Sequence, residues 1–172
     1  MSHRGGIVTQ WVPLYESDAA VVKSEIATFF EVFPEGTIWS NDENGKGYDV
    51  VLLGQVGETK INLDELAERL AKQEYTDLSQ SLAKVGFPAV GDLFATYAGN
   101  ARDLAPWLED AEINRDRNLR LQYLAGFRSN LYQSEGIFDA MVKYRKFPDQ
   151  LFTGSDAGKQ AVKDAMTKVS VK

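Results

Sequence analysis

Apolar and polar positions divide the chain near residue 57. Residues Ile7 to Leu14 open with β-branched side chains directly after Gly5 and Gly6, which predicts a turn and then a strand ending at Pro13. From Ser17, a suitable N-cap with Asp18 behind it, the apolar set Val22, Ile26, Phe29, Phe30 and Phe33 recurs at helical spacing until Pro34. Two short β-rich runs, Thr37 to Ser40 and Tyr48 to Leu53, flank a polar stretch from Asn41 to Gly47, the pattern of an antiparallel hairpin. The first unit is therefore expected to be strand, helix, hairpin.

Beyond Asn62 the pattern is helical. Asn62 with Glu65 forms a capping-box signature before Leu63, Leu66, Ala67 and Leu70. Further short helices are predicted near Asp77 to Val85, Val90 to Tyr97 and Ala101 to Asp110, each ended by glycine, proline or charge. Leu119, Leu121 and Tyr123 alternate like a small strand. Helices from Ser134 to Lys146 and from a Ser155 cap to about Lys168 close the chain. The expected class is α+β: a three-stranded mixed sheet with one helix on it, then a cluster of five or six short helices.

Composition narrows the functional classes. Apolar residues make up 44% and charged residues 26% of the 172 residues, enough to build a core. With 25 acidic against 19 basic side chains the net charge is −6, which disfavours nucleic acid and leaves cationic small molecules compatible. There is no cysteine and a single histidine, His3, so thiolate metal sites and Ser/His triads cannot be assembled. No apolar run approaches the ~18 residues of a membrane span, and a cytoplasmic protein is expected, with no membrane insertion by this chain.

Several separated motifs fall in a recognisable order. Gly-Gly-Ile-Val-Thr-Gln-Trp (5 to 11), Phe-Phe-Glu-Val-Phe-Pro (29 to 34), Thr-Ile-Trp-Ser-Asn (37 to 41) and Tyr-Asp-Val-Val-Leu-Leu-Gly (48 to 54) together resemble the closing part of spermidine synthases. The likeness is greatest to the bacterial spermidine-synthase-like proteins that are fused to membrane helices. Ile113 to Arg117 and Leu121 to Tyr123 are similar to a segment that those proteins carry beyond the sheet.

The resemblance implies a partial methyltransferase-like, Rossmann-type α/β sheet of about three strands. Residues 1–57 would be the C-terminal portion of that domain and 58–172 a helical extension packed on it. The family moves an aminopropyl group from decarboxylated S-adenosylmethionine to putrescine. The Gly-rich turn, the ribose-binding acid and the catalytic aspartates belong to strands that precede this stretch in the family. No catalytic residue and no cofactor is therefore expected on this chain. Decarboxylated S-adenosylmethionine would be the co-substrate once another half supplied those strands. The first strand would then offer an open edge to a second copy or to an N-terminal half-domain.

The resemblance also singles out amine-site candidates. Gln10 falls where the family lines its cleft with a glutamine, and Trp11 beside it is either core or cleft wall. Trp39, Ser40 and Asn41 fall where the family brings a tyrosine-bearing segment to the amine, although this segment holds no tyrosine. Asp42 and Glu43 could attract a cation or simply be solvated turn residues. Asn114, Asp116 and Arg117 could be functional, or could cap helices and pair with nearby carboxylates. Phe94, Tyr97 and Trp107 read as core, and Asp64 with Glu65 as helix-start acids.

Overall fold

In a computed structural model the described residues are 6–15, 17–41, 47–119, 121 and 134–169. They form an α+β protein of two compact units, residues 1–58 with 97–146 and residues 59–96 with 147–172.

The first unit opens with strand β1 (Ile7–Pro13), helix α1 (Ala19–Val32), strand β2 (Thr37–Asn41) and strand β3 (Asp49–Gln55). Strand, helix and hairpin thus follow the hydrophobic pattern. The N-cap of α1 is Asp18 rather than Ser17: its Oδ1 accepts the backbone N–H groups of Ala20 at 2.8 Å and Val21 at 3.0 Å. These are two of the donors that a helix start leaves without partners.

The sheet differs from expectation in two ways. It has four strands in the order β1, β3, β2, β5, where β5 is Tyr97–Asn100, and every neighbouring pair is antiparallel. The helix predicted to reach Tyr97 stops at Phe94, because Tyr97 to Asn100 pair with β2. Pairing of this kind overrides local preference in short segments. The helix predicted over Ala101 to Asp110 is a single turn, α5 (Ala101–Leu104); Ala105 keeps right-handed helical geometry, but Pro106 has no N–H to give to the Arg102 carbonyl, so the hydrogen-bond ladder is interrupted there. A strand at Leu119 and Leu121 is not formed: Leu119 lies at φ 44° and Leu121 is helical, while Tyr123 lies outside the described residues.

Register assigns the two faces of the sheet. Val12, Val50 and Ile38, with Leu52, lie on the face that α1 covers, together with Val22, Ile26, Phe29 and Phe30. Gly54 belongs to this face, and a Cβ there would sit 2.5 Å from the Phe33 ring and 2.9 Å from that of Phe29. Only glycine lets the helix come this close. Leu104, Trp107 and Met141, the last from α6 (Ser134–Val142), complete this core. Each such buried aliphatic or aromatic side chain contributes roughly 1.5–3 kcal/mol of hydrophobic stabilisation.

The second unit pairs a short strand β4 (Ile61–Asn62) in parallel with β6 (Phe152–Thr153) and surrounds them with α2 (Leu63–Leu70), α3 (Thr76–Lys84), α4 (Val90–Phe94) and α7 (Asp156–Val169). Asn62 caps α2 as expected, its Oδ1 accepting from the Asp64 and Glu65 backbone; the bond to Glu65 Oε1, at 2.9 Å, comes from the Asn62 side-chain amide rather than from the backbone N–H of a full capping box. Ser155 also caps as expected, its Oγ accepting from Gly158 N–H at 3.1 Å. Leu63, Phe94, Phe152 and Val162 form the centre of this unit. Among the described residues no helix is long and apolar enough to cross a membrane.

Candidate functional site

The sheet face opposite α1 holds most of the described candidate residues. Trp11, Val51, Trp39 and Tyr97 lie in one row across β1, β3, β2 and β5. A second row, Pro13, Asp49 and Asn41, lies at the carboxyl ends of β1 and β2. Trp11 and Trp39 are thus separated by two strand spacings, roughly 10 Å.

The two ends of the tryptophan row have different environments. Trp39 is half-buried; its indole N–H donates to Thr37 Oγ1 at 2.8 Å and its ring meets Tyr97 edge-on at 5.6 Å. Tyr97 is fully buried, and desolvation pushes its phenol above the ordinary range. Trp11 is 52% exposed and tilted against Tyr15, which stacks on Tyr48 at 4.4 Å. Each of Ile7 to Trp11 is exposed, and among the described residues β1 has a strand neighbour on one side only. It contains no charged residue that would discourage further pairing.

Of the candidates named from the sequence, Trp11, Trp39 and Asn41 share this face. Gln10 is exposed and lies opposite Leu52, on the α1 side, so the sheet separates it from them. Asn41 is exposed at the end of β2, and Asp42 lies outside the described residues. Asn114 is occupied structurally: its N–H donates to Thr28 Oγ1, and its Oδ1 accepts from Leu121 N–H. Arg115 pairs with Glu31 at 2.6 Å, while Asp116 and Arg117 are exposed.

Sequence reasoning passed over Asp49. Its residue is only 4% exposed, and Oδ1 has no hydrogen-bond partner among the described residues. An acid inside the apolar run Tyr48 to Leu53 was the signal, since carboxylates are seldom fully buried without a partner. Together these groups offer a carboxylate, a carboxamide and aromatic surface at the carboxyl ends of two strands. Such a set can hold a cation. Among the described residues no three His, Cys, Asp or Glu side chains converge as metal ligands would.

No family model, no curated protein and no solved structure matches the chain.

Proposed function

We propose that this chain is the C-terminal part of a spermidine-synthase-like aminopropyltransferase, inactive by itself and acting in the cytoplasm with a half that holds the nucleotide. The observation that supports this reading is the strand arrangement. β1 and β2 run the same way, are joined through α1, and have β3 inserted antiparallel between them. This is how a methyltransferase-like sheet closes, and β1 would then face the strand that precedes it in such a sheet. Strand carboxyl ends are where open α/β sheets take their ligands, and Asp49 and Asn41 stand there.

In this reading the chain contributes Trp11, Trp39, Asn41 and Asp42, with Asp49, to the wall of an amine cleft; Gln10 would serve only from the β1 edge. The neutral amine nitrogen attacks the carbon beside the sulfonium, a C–N bond forms, and the C–S bond breaks to release methylthioadenosine. The amine proton passes to an acid on the other half.

Calorimetry with methylthioadenosine and putrescine tests this, on the chain alone and on the chain with a polypeptide carrying the strand, Gly-rich turn and paired aspartates. Binding heat is expected only in the second case. No heat in either case rejects the enzyme reading.

The exposed, uncharged β1 favours a second reading, a non-catalytic interaction module that pairs through this edge. Association of the chain alone, abolished by Thr9→Lys, supports the module; a monomer at micromolar concentration rejects self-pairing.

A further inference from the structure

The second unit holds a groove of about 440 Å³ between α2, α3, α4 and α7. Its wall is made by Leu63, Ala67, Leu82, Phe87 and Leu93, and the volume falls in the range of small-molecule sites. Ser79 contributes no free donor, because its Oγ–H is given to the Leu70 carbonyl at 2.8 Å. One charged side chain, Asp64, lines the groove among the described residues.

The Asp64 carboxylate is fixed in place. Its Oδ2 accepts the Ser155 backbone N–H, and its Oδ1 accepts Ser155 Oγ–H at 2.8 Å. These bonds, the backbone one first, hold its carboxyl below the ordinary value, so it is anionic at neutral pH. A carboxylate has about four acceptor positions, so two bonds leave it able to accept more. No cation within ion-pair distance of it is seen among the described residues.

We infer that this groove binds a small amphiphilic amine, its apolar body along Leu63, Leu82 and Leu93 and its ammonium against Asp64. Charge complementarity decides the occupant: a neutral apolar molecule would supply the carboxylate with no counter-charge, and an anion would be repelled. The site uses only residues of the second unit, and it stands whether or not the aminopropyltransferase reading does.

Titration of the full chain with octylamine, octanol and octanoate, followed through the amide resonances of Ala67, Leu82 and Leu93, tests the inference. Octylamine is expected to shift these resonances with a dissociation constant about tenfold below that of octanol, and octanoate to bind least. Asp64→Asn should bring octylamine to the level of octanol. Because Asp64 also holds Ser155, a second variant avoids that contact. Ala67→Lys places a cation three residues from Asp64 on the same helix, neutralises the site and should remove the advantage of octylamine over octanol and octanoate. No shift at these residues, equal binding of all three probes, or an unchanged order in Ala67→Lys would overturn the assignment.

Discussion

Trp11 and Trp39 stand opposite the same residue, Val51, on the same face of one sheet, yet only one is integrated into the structure. β2 has β5 beyond it, so Trp39 gains a ring partner in Tyr97, in addition to the acceptor that Thr37 supplies from β2 itself. Among the described residues β1 has no strand beyond it, and Trp11 keeps half its surface exposed. Identical side chains in the same cross-strand row therefore carry different weight, and the difference is set by the number of neighbours their strands possess. A residue's type and spacing do not reveal that number.

The contrast can be broken most strongly from the covered face. Ile38 sits on β2 with no exposed surface, and Ile38→Ala is expected to cost about 2–5 kcal/mol in urea unfolding. Trp39→Ala comes next, at about 2 kcal/mol, since a half-buried ring and one hydrogen bond are lost together. Trp11→Ala should stay within about 0.5 kcal/mol of the parent. Equal costs at the two tryptophans would mean that β1 is covered in solution, and a concentration-dependent midpoint would identify self-association as the cause.

Asp18→Ala should cost about 1 kcal/mol, the usual value of a lost N-cap, while Ser17→Ala should cost almost nothing. The smallest effect concerns pH. Lys23 donates to Asp110 at 2.6 Å, and this hydrogen bond holds the Asp110 carboxyl below its ordinary value of 3.8. The contribution of the pair is thus complete above that value and is lost as pH falls through the lower folded-state value. Lys23→Met should return the Asp110 titration, followed by carboxyl NMR, toward the ordinary value.

Those elements that local chemistry defines were legible before the structure. Helix α1 has an unbroken apolar period and a proline stop, the hairpin has a polar turn between β-rich runs, and α2 carries its cap in Asn62 and Glu65. β5 was not legible, because Val90 to Tyr97 keeps helical spacing and only β2, far away in sequence, draws its last residues into a sheet. The same limit applies to the candidate site. Trp39 and Asn41 were named with Trp11 and share its face, but Gln10 was grouped with them although adjacent strand residues point to opposite sides. Asp49 was hidden inside a run whose apolar character suggested only a strand.

The pairing of Thr37 with Asn100 also governs the order in which the chain can fold. During synthesis β1, α1, β2 and β3 emerge while β5 is still within the ribosome. Until it arrives the nascent sheet is open along β2. Closing that edge requires a loop containing the whole 59–96 segment, which raises the entropic cost and slows that step. The interval before Tyr97 appears is therefore when this protein is most exposed to aggregation, and chaperone dependence should be greatest there.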